Sequence, residues 1–178
     1  LSQTVIQAMK NKMTTSEIDQ LAAETAMNMS SLNQDYAILA SRIIVSDLHK
    51  STDSDYSKVL DKLAAKPRSD ESPSKNNELG YSLINQKFYE YAIDNIEKIQ
   101  KAFNYDRDYN LSYFAIETLK KTYLLKISKQ VIERPQHMYM RIALAVHPKN
   151  INKALETYEV LSLGKYTHAT PTMFNAGT

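Results

Sequence analysis

Few residues in this 178-residue chain could do chemistry, and most of them bind better than they react. Thr15 and Asp19 stand four apart at the start of a helical pattern, a hydroxyl and a carboxylate on one flank. By pattern alone, a Thr and an acidic residue near a positive helix end are ordinary stabilising choices. Lys50 closes a later helical stretch, where positive charge suits the helix dipole. Thr170 offers a hydroxyl donor in a segment whose residues favour extended backbone, with His168 two residues earlier and on the same face of a regular strand. A lone strand histidine is usually structural, and a threonine there can simply satisfy backbone groups. Asp106-Arg107-Asp108 reads as a loop ion pair that neutralises itself. Glu133-Arg134-Pro135-Gln136-His137 reads as a helix start with polar anchors. His49, His137 and His147 lack metal-ligand spacing. The chain has no cysteine, which removes disulfides, thiolate metal sites and thiol catalysis together. Three glycines in all leave no room for a glycine-rich phosphate loop.

The elements that must carry these residues are mainly helical. Val5, Ile6 and Met9 suggest a helix over residues 1–11. Thr14-x-x-Glu17 predicts a capping box, followed by an apolar stripe of Ile18, Leu21, Ala22, Thr25 and Met29. Asn33 or Asp35 opens a helix through Leu48 that is apolar around most of its circumference, with His49 and Lys50 in its last turn. Tyr56, Val59, Leu60 and Leu63 form a short stripe. Residues 66–80 are polar and carry two prolines, so they read as a linker or surface loop between a first region, 1–65, and a second, 81–178. Beyond it, Phe88, Ala92, Ile96, Ile99 and Phe103 predict one helix over 82–103. Tyr113, Ile116, Leu119 and Tyr123 predict a helix starting at Ser112, and residues 125–133 a hairpin turning near Ser128-Lys129. Pro135 suits the first position of a helix reaching His147, and Ile151, Ala154, Leu155, Tyr158 and Leu161 make a last stripe ended by Gly164. Tyr166 with Thr167, Thr170 and Thr172 favours extended backbone over 166–176, punctuated by Pro171 and Gly177. The fold class is therefore mainly α, with strand confined to 125–133 and 166–176.

Hydrophobic content of 43% and charged content of 24% place the chain among ordinary globular proteins. A net charge of +2 without a block of like charge gives no reason to expect nucleic acid. No apolar run approaches the about 18 residues of a membrane helix, and no signal segment stands out. The start at Leu1 inside a helical pattern and the stop at a turn suggest a piece of a longer protein.

Four blocks, TTSEIDQLAAE (14–24), DYAILASRIIVSDLHK (35–50), ERPQHMYMR (133–141) and THATPTMFNAGT (167–178), together resemble the large catalytic subunit of eukaryotic-type class I ribonucleotide reductases. The similarity runs through nearly all of the chain; only 66–80 looks unrelated. The resemblance implies that 1–65 is part of an ATP-cone, a helical regulatory module for ATP or dATP, lacking its basic, glycine-containing first strand. It implies that 81–178 is the helical N-terminal domain, ending in the extended segment that leads into the α/β barrel. Thr15 and Asp19 match nucleotide-contacting positions of the cone, with Lys50 near the phosphates, and Thr170 matches a position that contacts substrate diphosphate. The family's chemistry depends on cysteines, the first of which follows shortly after the sequence matching 175–178. The implied partners are the radical-generating small subunit, ribonucleoside diphosphates and further copies of the large subunit, with no nucleic acid or membrane. The implied location is cytoplasmic, and no cofactor is expected within this stretch beyond ATP or dATP as effectors. The competing reading is a non-catalytic helical interaction module, because 12 tyrosines suit a partner surface.

Overall fold

A computed structural model describes residues 1–64 and 82–178. The expected loop at 66–80 lies outside the described residues. Ten α-helices and one hairpin follow in chain order among those described: α1 (Ser2–Ala8), α2 (Thr15–Asn28), α3 (Asp35–Ser51), α4 (Tyr56–Ala64), α5 (Gln86–Asp94), α6 (Ile96–Ala102), α7 (Tyr113–Thr118), β1 (Lys126–Ile127), β2 (Gln130–Val131), α8 (Pro135–Val146), α9 (Ile151–Ser162) and α10 (Thr170–Asn175). None of these helices is long and apolar enough to cross a membrane. The chain forms two compact units. One comprises Leu1–Ser51 with Asp108–Thr122, the other Thr52–Arg107 with Tyr123–Thr178. Residues 52–64 therefore group with the second unit, where the sequence reading put them with the first.

The first unit is built on α2 and α3. Thr14 accepts from the Glu17 amide at 3.2 Å while Glu17 Oε2 accepts from the Thr14 amide at 2.7 Å, so the capping box closes in both directions. Asn33 Oδ1 accepts from the Asp35 amide at 2.9 Å and sets the start of α3. The buried line of α2 is Ala23 and Ala26, both fully enclosed, while the expected stripe residues Ile18, Leu21, Ala22, Thr25 and Met29 are only half-buried. Small side chains at i and i+3 let two helix backbones approach closely, so contact with α3, rather than side-chain bulk, decided which face turned inward. Ala23 meets Ile44 and Val45 of α3 and Ile116 of α7 in a small core. Burying each of these branched side chains contributes about 1.5–3 kcal/mol. In α1 only Val5 is buried; Ile6 and Met9 are exposed.

The core of the second unit takes Tyr56, Val59, Leu60 and Leu63 from α4, Phe88 and Ala92 from α5, Ile99 from α6, Met140, Ala143 and Leu144 from α8, and Ala154 and Tyr158 from α9. The helix expected over 82–103 breaks into α5 and α6 at Asn95. Its backbone leaves the helical region (φ −112°, ψ 13°) and its side-chain amide bonds the Tyr91 carbonyl at 2.9 Å. The hairpin forms as expected: Lys126 pairs with Val131 and Ile127 with Gln130, across Ser128 and Lys129, both left-handed (φ 48° and 69°). Gly164 ends α9 with φ +67°. Residues 166–176 depart from expectation. Thr170–Asn175 is a helix, with Pro171 in its first turn. Proline fixes φ near the helical value, and its missing amide hydrogen is one that a helix start leaves unpaired anyway. That outweighs the extended preference of the threonines. His168 and Thr170 consequently do not share a strand face.

Candidate functional site

In the first unit the structure brings together Asp19 and Lys50, 31 residues apart. Lys50 Nζ donates to Asp19 Oδ2 at 2.7 Å. Asp19 lies one turn before Ala23 on the face of α2 turned toward α3. Its side chain is 26% exposed, that of Lys50 64%. The Asp19 hydrogen bond, and then its charge, hold the Lys50 ammonium above the ordinary lysine range. Thr15 is exposed one turn earlier on the same helix. The group is an acceptor-rich carboxylate beside a cation at an open surface, with the cation already engaged. Such a group can bind a polar or anionic ligand.

Next to Lys50 in sequence, His49 Nε2 meets the fully buried Asp108 at 2.8 Å, and Tyr109 packs its edge on the imidazole. Arg107 bonds both carboxylate oxygens of Glu159, at 2.7 and 2.8 Å, and the Ser162 hydroxyl. The triplet Asp106-Arg107-Asp108 thus does not neutralise itself. Its arginine and second aspartate each bond a distant partner, which local charge alternation gave no means of seeing.

In the second unit the stretch 133–141 is a buried polar frame. Arg141 donates from Nε and Nη2 to Glu133 at 2.7 and 3.0 Å, and from Nη1 to the Ala176 carbonyl at 2.7 Å. Glu133 also accepts from the Leu125 amide at 3.0 Å. Burial works against the Arg141 charge, but the Glu133 carboxylate outweighs it and the guanidinium pKa is raised. Arg134 bonds Thr52 through Nε and Nη2 and lies 4.7 Å from the Tyr105 ring centre. His137 Nδ1 accepts from the Arg134 amide at 3.2 Å. Tyr105 donates its proton to the Ser54 carbonyl at 2.6 Å, so the Nε2–H of His137 is the donor in the 2.8 Å contact between them. These bonds fix the neutral imidazole as one tautomer. Tyr56, fully buried nearby, has its hydroxyl pKa raised by burial and then by the Glu133 charge. The polar side chains of this stretch are buried and bonded to the surrounding chain.

Thr170 is exposed at the start of α10, and its hydroxyl lies 3.2 Å from the hydroxyl of Tyr123. Phe174, one turn further along α10, packs on the Tyr123 ring with centroids 5.0 Å apart. His168 Nδ1 contacts the Tyr166 hydroxyl at 3.1 Å, while its Nε2 is buried without a hydrogen-bond partner. A separate cleft of about 640 Å³ is lined by Phe88, Tyr91, Leu144 and the end of the chain. Sequence reasoning missed Tyr123 as a neighbour of Thr170, because 47 residues separate them. It missed Arg141 as well, although a charged residue amid the apolar face of α8 was a usable signal. No group of three His, Cys, Asp or Glu among the described residues could hold a metal.

Comparison with known proteins now adds to this geometry. Residues 109–178 match the family described as ribonucleotide reductase, all-alpha domain. The whole chain is 42% identical to the ribonucleoside-diphosphate reductase large chain of Schizosaccharomyces pombe, covering 21% of that protein. It is 42% identical to the large subunit of Danio rerio, covering 22%, and 41% identical to that of Vaccinia virus, also covering 22%. The chain thus spans about a fifth of the length of the curated relatives it matches. These similarities do not favour the interaction-module reading.

Proposed function

From a chain that belongs to the ribonucleotide reductase large-subunit family, we propose a regulatory and substrate-binding segment of an enzyme that reduces ribonucleoside diphosphates to deoxyribonucleotides. The single observation that carries the proposal is similarity at about 40% identity from the first residue of the chain to the last. The reaction replaces the ribose 2′-hydroxyl by hydrogen, using a radical relayed from a small subunit and thiols that this cysteine-free stretch does not contain. Its own residues bind. In the first unit, Thr15 and Asp19 contact the sugar or base of ATP or dATP, and Lys50 lies toward the phosphates. The support is physical: an acceptor-rich carboxylate and an ammonium 2.7 Å apart at an open surface suit a ligand that has both hydroxyls and phosphates. In the second unit, Thr170 donates its exposed hydroxyl to the substrate diphosphate. The enzyme works in the cytoplasm, self-associates under effector control, and supplies DNA precursors.

The test uses the full-length protein with its small subunit and a dithiol reductant. Deoxyribonucleoside diphosphate should form from all four substrates, and ATP and dATP should act on the rate in opposite directions. The 178-residue chain alone should form none, since binding contacts cannot replace the missing thiols. No product from the full-length protein would refute the assignment.

A further inference from the structure

Tyr123 and Thr170 meet hydroxyl to hydroxyl at 3.2 Å, and the contact is held from both sides. On one side, Leu124 is buried directly after Tyr123 and the Leu125 amide donates to Glu133. On the other, Met173 is buried within α10, and the Ala176 carbonyl just beyond it accepts from Arg141. Glu133 and Arg141 are themselves bound to each other, so one buried ion pair ties the chain two residues beyond Tyr123 to the turn that follows α10. Thr170 and Phe174 lie one turn apart on α10 and both meet Tyr123, which sets the rotation of that turn as well as its distance.

Two hydroxyls at this separation share one proton, and which one donates follows from their chemistry. A phenol is the stronger donor and an aliphatic hydroxyl oxygen the stronger acceptor. Tyr123 therefore donates to Thr170 Oγ1, and the Thr170 proton is left to point outward. Accepting one bond also polarises the hydroxyl and strengthens the bond it donates. Thr170 is exposed, so its outward proton is available to an anionic oxygen of a bound ligand.

We propose that Tyr123 is a positioning residue for the ribonucleoside diphosphate, aiming the Thr170 hydroxyl proton at a diphosphate oxygen. This rests on the reading of Thr170 as a substrate contact. Tyr123 itself needs no contact with substrate, and its ring keeps the Phe174 packing independently of its hydroxyl.

The experiment is a double-mutant cycle in the full-length enzyme with its small subunit, using Tyr123→Phe, Thr170→Val and the two combined. Tyr123→Phe keeps the ring and removes only the donor. It should raise the substrate KM about two- to tenfold, the ratio that matches one ordinary hydrogen bond, with kcat and the thermal midpoint little changed. In the Thr170→Val background the same substitution should have no further effect. Thr170→Ser, which keeps a hydroxyl, should restore the dependence on Tyr123. Wild-type KM for Tyr123→Phe alongside a raised KM for Thr170→Val would overturn the positioning role and leave the substrate reading standing. So would an undiminished effect in the Thr170→Val background, which would show Tyr123 acting independently. An unchanged KM for Thr170→Val would instead remove the substrate reading, and the positioning role with it.

Discussion

Arg141 is joined to Glu133 by two hydrogen bonds, 2.7 and 3.0 Å long, in a place where neither side chain meets solvent. The third bond of the guanidinium, to the Ala176 carbonyl, makes the pair a junction of three chain segments: the stretch leading into the hairpin, α8, and the turn after α10. An ion pair so placed need not add net stability over apolar residues of the same shape, but breaking it on one side strands a buried charge.

Arg141→Met should therefore lower unfolding stability by about 3–5 kcal/mol. Glu133→Gln with Arg141→Met should be less damaging than Arg141→Met alone, because the double change leaves no unpaired carboxylate. Urea unfolding followed by circular dichroism checks the order. A double variant that is the sum of the two singles would mean that the charges are not coupled.

Arg107 and Glu159 should give a small pH signature. The hydrogen bond from Arg107 holds the Glu159 carboxyl below the ordinary glutamate range, against a weaker opposing effect of burial. A depressed folded-state pKa contributes stability that is complete above the unfolded value and is lost as pH falls through the folded one. Glu159→Gln should therefore reduce stability at pH 7, and the gap from wild type should close as pH falls below about 4. Half the Glu159 side chain is exposed, so the difference should stay under about 1 kcal/mol. A gap that persists unchanged at pH 3 would assign the loss to something other than charge.

Gly177 sits at φ +78°, and a Cβ there would come within 3.0 Å of Phe88 Cε2 and 3.2 Å of Arg141 Cγ. Gly177→Ala should destabilise the second unit by about 1–2 kcal/mol from the backbone alone, with more if Phe88 cannot move. Combining it with Phe88→Leu should recover part of the loss if crowding contributes. Differential scanning calorimetry of the three variants separates strain from crowding.

Asp19→Asn in the full-length protein should disturb the response to dATP and leave basal turnover near normal. The isostere keeps the packing of the α2 face while turning an acceptor-only group into a mixed donor and acceptor. It also removes the charge that engages Lys50, whose pKa should fall back toward the ordinary lysine value. Inhibition curves for dATP that superimpose on wild type would leave Asp19 only as a partner for Lys50.

Much of this architecture was legible where a local rule decides the outcome. The Thr14–Glu17 capping box, the Ser128-Lys129 turn, the α4 stripe and the Gly164 stop are all short-range features, and each appears as read. What was not legible depended on a remote partner. The inward face of α2 is the one on which Ala23 packs with Ile44 and Val45 of α3 and Ile116 of α7, which the apolar pattern of α2 does not encode. Thr170–Asn175 carries residues with extended preference but adopts a helix, because one proline fixes the first turn and Met173 is buried. Of the candidate ligand-binding residues, Asp19 and Lys50 were each picked out by type, but only the fold puts them 2.7 Å apart. Tyr123 carried no sequence mark beyond its place in a stripe.

The path of the chain through its two compact units limits how the protein can be divided. The chain leaves the first unit after Ser51, returns at Asp108 and leaves again after Thr122. Neither unit is one uninterrupted stretch of sequence, so a cut anywhere in the polar segment 66–80 does not release a finished module. The N-terminal product would lack α7, whose Ile116 completes the small core around Ala23, Ile44 and Val45, and it would carry α4 without the helices that bury it. The C-terminal product would hold α7 with nothing to pack on. A protease that nicks this segment should leave both pieces associated until denaturant is added, and expression of residues 1–65 alone should give aggregated or unfolded material. Transplanting the first unit therefore calls for both of its segments, Leu1–Ser51 and Asp108–Thr122, together.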